Sequence, residues 1–208
     1  MPRVDDFKNT IAIALESFRK KDPRIMALNS GADYQPNAQG GIFEFNFINR
    51  EITVTWPEGQ LTVPDGAKEP SLQEQGLIMH YLVGASGAAL TGEWITFREI
   101  PSGEFYYSAF VQRAKEPLVK AFGHQPQRLL ELGTQIGGTP GSQGDASLLV
   151  QVLPRIPVCL ILWAGDDEFP PEGNVLFDAS ISQYLTAEDI AVLSGAVVYP
   201  LIGMAYKK

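Results

Sequence analysis

The sequence predicts an α+β fold, an antiparallel or mixed β-sheet with flanking helices in a single compact domain. Three observations carry that expectation. Hydrophobic residues reach 45% and charged residues 19%, the balance of a globular chain rather than a disordered one. Several segments alternate apolar and polar residues with period two, the signature of half-buried strands. Others place apolar residues at helical spacing and carry helix-capping residues at their starts.

From Asp5 to Lys20, Phe7, Ile11, Leu15 and Phe18 mark one face of an amphipathic helix, which Asp22-Pro23 stops. The stretch Asn29 to Gly41 is rich in Asn, Gly, Gln and Pro and reads as a loop. In Gly41 to Ile48, Phe43, Phe45 and Phe47 fall on one face and Glu44 and Asn46 on the other. Asn49-Arg50 can turn the chain into Glu51 to Trp56, where Ile52, Val54 and Trp56 alternate again. Gln60 to Val63 offers a third short strand, which makes an antiparallel meander.

Ser71 and Glu74 have capping-box spacing and open a helix through Val83 that ends at Gly84 and Gly87. Glu93 to Ile100 is rich in aromatic and β-branched residues and reads as a strand. A helix from Glu104 to Phe122 follows, kinked or divided by Pro117, and a shorter one spans Pro126 to Ile136. Residues 137–145 are the most loop-like in the chain, a boundary that reads as a hairpin or surface connection inside one domain of residues 1–208. Ser147 to Pro154 and Ile156 to Trp163 are near-continuously apolar strands, a pattern that predicts burial on both faces. Asp178 and Thr186 are N-caps for two closing helices, the second running to Tyr199.

The formal net charge is −8, and the basic residues are scattered apart from Arg19-Lys20-Lys21 and Lys207-Lys208. Without a basic stripe to neutralise phosphates, neither nucleic acid nor an anionic membrane is an expected partner. A single cysteine, Cys159, rules out an intrachain disulfide and a four-thiolate iron–sulfur cluster or zinc site within this chain. Met1 to Lys20 carries Asp5, Asp6 and Glu16, unlike a signal peptide, and the longest apolar run, Val158 to Ala164, is too short to span a bilayer. A cytoplasmic location is the expectation.

Two clusters could carry chemistry. Asp166-Asp167-Glu168 follows directly on an apolar strand, where three carboxylates could bind Mg²⁺ or Ca²⁺ or hold a proton-transfer group. The structural alternative is a solvated turn. Glu93, Trp94 and Arg98 bring a carboxylate, a flat aromatic and a bidentate donor onto one strand, with Trp94 and Arg98 on the same side under period two. There the alternative is a salt bridge beside a packed indole.

His80 stands on an apolar helix, either as a satisfied core residue or as an axial ligand to a metal tetrapyrrole. His124 lies in a turn with no ligand spacing to His80. Cys159, inside an apolar strand, reads as an inert thiol. No GxSxG elbow, P-loop or GxGxxG is present, which excludes the standard nucleophile and nucleotide motifs.

Two blocks, HYLVGASGAALTGEWITFREIPSGEFYYSAFVQRAKEPLVKAFG and PRIPVCLILWAGDDEFPPEGNVLFDASISQYLTAEDIA, carry a resemblance that covers His80 to the C-terminus. In them the chain resembles an uncharacterised family of domains of unknown function from anaerobic bacteria and archaea. Some members of that family carry an added four-cysteine iron–sulfur module, which this chain lacks. The resemblance implies that Gly92, Glu93, Trp94, Phe97, Arg98, Trp163, Gly165, Asp166, Glu168, Phe169, Phe177 and Asp178 are family-like positions. It also makes corrinoid, haem-like or redox-cofactor chemistry the setting in which to look for a role.

The leading expectation is a cofactor- or partner-binding accessory domain. Its pocket would be walled by Glu93, Trp94, Arg98 and Trp163, with His80 as axial ligand to a corrinoid or other tetrapyrrole and an iron–sulfur or corrinoid protein as partner. One competing expectation is a metal-dependent hydrolase or transferase using Asp166, Asp167 and Glu168. A third is a protein-interaction module without a small ligand.

Overall fold

The structure, a computed structural model, describes residues 4–207. The chain begins with α1 (Val4–Lys20) and α2 (Pro23–Ser30). A meander of β1 (Asp33–Asn37), β2 (Gly40–Phe47), β3 (Arg50–Trp56) and β4 (Leu61–Thr62) follows. Then come α3 (Leu72–Gly84), β5 (Trp94–Thr96), α4 (Gly103–Phe110), α5 (Glu116–Phe122), α6 (Pro126–Gly133) and β6 (Thr139–Pro140). The chain closes with β7 (Ala146–Leu153), β8 (Ile156–Trp163), β9 (Glu172–Asp178) and α7 (Ala187–Ala205). Two antiparallel sheets result, one in the order β1-β2-β3-β4 and one in the order β5-β9-β8-β7-β6.

The first sheet follows the alternation in the sequence. Phe43, Phe45 and Phe47 on β2 and Ile52 and Val54 on β3 are buried, and Phe43 meets Phe18 of α1 at 5.7 Å between ring centroids. The segment expected to be a loop, Asn29 to Gly41, instead ends α2 and supplies β1. Asp22 caps α2 through the Arg24 N–H, and Gly31 closes it in the left-handed conformation at φ 73°. The strand that follows contains Pro36, which an edge position tolerates.

The β2–β3 turn falls at Ile48-Asn49, one residue earlier than the sequence suggests, with both residues at positive φ. A β-branched residue resists that conformation. Ile48 is held there by burial of its side chain and by its N–H donating to Val152 O of β7, the bond that ties the first sheet to the second.

The second sheet explains the near-continuous apolar runs of β7 and β8. One face carries Leu148, Val150, Leu160 and Val175 under the helices. On the other, Ser147, Cys159 and Ile161 are also buried. Residues 137–145 are no linker between domains. Thr139 and Pro140 pair with β7, and Gly141 and Gly144 approach Ser147 and Ile161 so closely that a Cβ would collide with their side chains. Phe43, Phe45, Phe47, Ile52 and Val54 of the first sheet and Leu148, Val150, Leu160 and Val175 of the second belong to one continuous core.

Two expected elements are shorter than their sequence patterns suggest. Glu99 accepts hydrogen bonds from the N–H and hydroxyl of Thr96, which stops β5 at Thr96 and bends the chain into a 3₁₀ turn. That turn buries Phe97, whose ring stacks on Phe110 at 4.4 Å. The long helix from Glu104 is divided by a π-helical stretch, Val111–Lys115, immediately before Pro117. Pro117 has no N–H to continue an α-helical ladder and sits in the first turn of α5, where none is needed.

The helix α7 packs against α3, α4, α5 and α6, burying Ile190, Leu193, Val197 and Leu201 along one face. It extends past Tyr199 to Ala205 despite Pro200. By length and composition it is apolar enough to cross a membrane, a feature the longest uninterrupted apolar run does not reveal. Half of that stretch is buried inside the protein, as in a core helix.

Candidate functional site

A groove of about 980 Å³ is formed among the described residues. Its walls are α1, α3, the chain from Ile100 into α4, and the segment leading into α7. Apolar side chains such as Ile13, Leu77 and Val192 line it beside the polar groups of His80, Tyr106, Glu188 and Asp189. Gly84 lets the end of α3 approach closely. A Cβ there would lie 2.6 Å from the carbonyl oxygen of Tyr184 on the opposite wall.

His80 is the chemical centre of the groove. The Ser71–Glu74 capping box starts α3, and two turns on the helix presents His80 between its buried face, which carries Leu77, Met79 and Tyr81, and the groove. Nδ1 of His80 lies 2.7 Å from Oδ1 of Asp189 in the first turn of α7. The other oxygen of Asp189 accepts from the Thr186 hydroxyl at 2.7 Å and its N–H at 3.2 Å, while Thr186 caps the N–H of Asp189. A helix cap therefore fixes the carboxylate, and the carboxylate fixes the imidazole. With Nδ1–H donating to Asp189, Nε2 is left as the free acceptor of the ring.

The electrostatics follow from that geometry. The hydrogen bond to Asp189 raises the His80 pKa above its usual value; burial opposes it, and the charges of Asp189 and Glu188 add to the rise. Burial pushes the Asp189 carboxyl up, but the bonds from His80 and Thr186 outweigh it and hold the pKa below its ordinary value. Beside them, the Tyr106 hydroxyl donates to Glu188 at 3.3 Å.

The residues expected to wall a pocket are not brought together. Glu93, Trp94, Arg98 and Trp163 do not line the groove. Trp94 pairs with Asp178 at one end of β9, and Trp163 pairs with Glu172 at the other. Those partners are six residues apart, roughly 20 Å at about 3.3 Å per residue. Because β5 stops at Thr96, Arg98 does not share a strand face with Trp94. Its guanidinium lies 4.0 Å over the Tyr107 ring, with Glu104 at 3.8 Å in an exposed ion pair. Glu93 contributes its backbone carbonyl, which accepts from the Ala179 N–H.

At the β8–β9 turn, Asp166 accepts from the N–H groups of Phe169 and Glu168, which hold its pKa below the usual value. Asp167 and Glu168 are exposed. Among the described residues no group of three or more His, Cys, Asp or Glu side chains is placed to hold a metal ion. Cys159 is buried, and burial pushes its thiol up to about 11, which suits the inert role expected of it.

Sequence reasoning missed Asp189, Glu188, Tyr106 and β9. The one available signal was the spacing of Thr186 and Asp189. It marks a capping box but says nothing of a partner 109 residues earlier.

Fold and groove together define a two-sheet α+β domain whose concave site is organised by one histidine–carboxylate pair. The chain belongs to the family described as Domain of unknown function (DUF3786), whose family model matches residues 22–199. The match spans α2 to most of α7, including His80 and Asp189, while α1, one wall of the groove, precedes it. No curated protein and no solved structure matches the chain.

Proposed function

We propose that this is a cofactor-binding accessory domain of anaerobic metabolism, whose groove receives a planar metal complex, a corrinoid or another tetrapyrrole, on Nε2 of His80. The observation that carries the reading is the 2.7 Å contact between His80 Nδ1 and Asp189 Oδ1 inside a groove of about 980 Å³. Histidines that ligate metals commonly donate their second ring N–H to a carboxylate, which fixes the tautomer and strengthens the free nitrogen as a donor. The groove is of ligand size, and its mixed lining of apolar side chains and a few convergent polar groups suits a macrocycle with one coordinated face.

A single protein ligand fits this chemistry, because the macrocycle itself supplies the equatorial donors. In this reading the domain works in the cytoplasm beside an iron–sulfur or corrinoid protein, which supplies or takes up the cofactor or its electrons. The acidic turn at Asp166–Glu168 serves as structure, and Trp94, Arg98 and Trp163 lie outside the ligand's reach.

The test is an anaerobic ultraviolet–visible titration with hydroxocobalamin and with ferric haem. The wild-type protein should give a saturable shift of the absorption bands with at least one of them. His80→Ala should abolish the shift, and Asp189→Asn should weaken affinity about 10- to 100-fold, the usual effect of losing a partner behind a metal ligand. An identical shift in His80→Ala would remove the axial role, and no shift with either complex would remove the tetrapyrrole reading.

A further inference from the structure

We infer that the groove selects its ligand by charge, admitting cationic or neutral-rimmed metal complexes and rejecting carboxylate-bearing ones, with Glu188 as the specificity-determining residue. This inference rests on the reading of His80 as the axial donor.

Among the described residues, the groove's lining includes no lysine and no arginine. Beside His80, its ionisable acids are Glu188 and Asp189, both in the first turn of α7. Asp189 is satisfied by His80 and Thr186 and is 9% exposed, so its charge is largely committed to the protein. Glu188 is exposed on the groove wall and accepts from the Tyr106 hydroxyl at 3.3 Å. The Lys21 ammonium lies at the groove's rim, one helical turn beyond His80, where it donates to the backbone carbonyl of Val83 at 2.6 Å.

A ligand whose rim carries carboxylates would need cations to pair with when it leaves water. In this groove it would meet the Glu188 carboxylate instead. A ligand with a positive centre and an amide or ammonium rim would gain from the same charge. The overall charge of −8 reinforces that bias during approach. One carboxylate near a partly desolvated ligand charge changes affinity by about tenfold, from Coulomb's law at an effective dielectric near 20 and a separation near 10 Å.

The experiment compares two iron porphyrins of opposite rim charge. One is ferric protoporphyrin IX, with two propionates, and the other is a ferric porphyrin bearing N-methylpyridinium groups. Affinities are read from the band shift at pH 8 and low salt for wild type, Glu188→Gln, Glu188→Lys and His80→Ala. Wild type should bind the cationic complex at least about tenfold more tightly. Glu188→Gln should shrink that preference several-fold and Glu188→Lys should reverse it, with thermal unfolding showing that both variants fold.

Equal affinities in wild type, or a preference unmoved by Glu188→Lys, would overturn charge selection. If His80→Ala still abolished the shift in that case, the axial reading would survive. A preference that followed Glu188 but ignored His80→Ala would support charge selection and remove the axial donor. Binding of neither porphyrin would overturn charge selection, and a flat hydroxocobalamin titration beside it would overturn the axial reading as well.

Discussion

Replacing Asp189 with Ala tests whether the histidine–carboxylate pair also holds the fold together. The carboxylate accepts from His80 at 2.7 Å and from the hydroxyl and N–H of Thr186 at 2.7 and 3.2 Å. A hydrogen bond to a charged, largely buried partner contributes about 1.5–3 kcal/mol. The lost half of the capping box adds about 0.5–1 kcal/mol. His80 keeps a third of its side chain exposed, so the first figure belongs at its lower end. The expected cost is about 2–3 kcal/mol, or about 4–12 °C in Tm for a chain of this length.

The pH dependence gives a second signature. The His80 pKa is raised above 6.5, so its contribution is full below that value and lost as pH rises through the folded pKa. The Asp189 pKa is lowered below 3.8, so its contribution is full above that value and lost as pH falls through the folded pKa. The difference between wild type and Asp189→Ala should therefore be greatest between about pH 3.8 and 6.5 and smaller at pH 9. Urea unfolding followed by far-ultraviolet circular dichroism at pH 6 and pH 9 measures it, and NMR titration of His80 reports the imidazole directly. A cost under about 1 kcal/mol at pH 6, with an unmoved His80 titration, would refute the pairing.

Three further outcomes follow from the groove walls and the core. Asp178 is 4% exposed and accepts from the N–H and hydroxyl of Thr91, the N–H of Gly92 and the N–H of Ser180; burial opposes its ionisation, yet these bonds bring its pKa to about 2. Asp178→Asn should cost roughly 2 kcal/mol at neutral pH, and wild-type stability from this group should hold above pH 3.8 and fade only as pH drops toward 2, as an acid-unfolding curve would show. Gly84→Ala should lower stability by about 1–3 kcal/mol, because its Cβ would meet the Tyr184 carbonyl oxygen at 2.6 Å and push α3 from the opposite groove wall. Tyr81→Phe should cost about 1–3 kcal/mol in urea unfolding, since the phenol donates to Ser30 O at 2.5 Å and accepts from the Arg155 N–H at 3.0 Å.

Most of the fold was legible in the sequence wherever burial imposed a period. The alternating phenylalanines of β2, the apolar runs of β7 and β8 and the Ser71–Glu74 box of α3 all reported their own environments. The failures occur where a tertiary contact overrides local chemistry. Asn, Gly and Pro in residues 29–41 argue for a loop, yet β1 forms there because β2 offers an unpaired edge to the chain leaving α2. Glu93 to Ile100 has strand composition throughout, but Glu99 folds back on Thr96 and ends the strand after three residues. The residues of β9 are half polar, and their pairing with β5 and β8 depends on neighbours that spacing cannot name.

The site was less legible than the fold, and for a physical reason. Every part of the dyad has a sufficient local explanation: His80 as a residue on an apolar helix, Thr186 as an N-cap, and Asp189 as the third residue of a capping box. Only the packing of α3 against α7 turns those separate features into one arrangement. By contrast, Trp94, Arg98 and Trp163 are conspicuous in the sequence because they are large or charged. The antiparallel register then sends two of them to opposite ends of β9 and the third into a turn over Tyr107. The same capping box that starts the central helix also orients the imidazole. A single element thus stabilises the fold and sets the geometry of the groove, and neither role can be weakened without affecting the other.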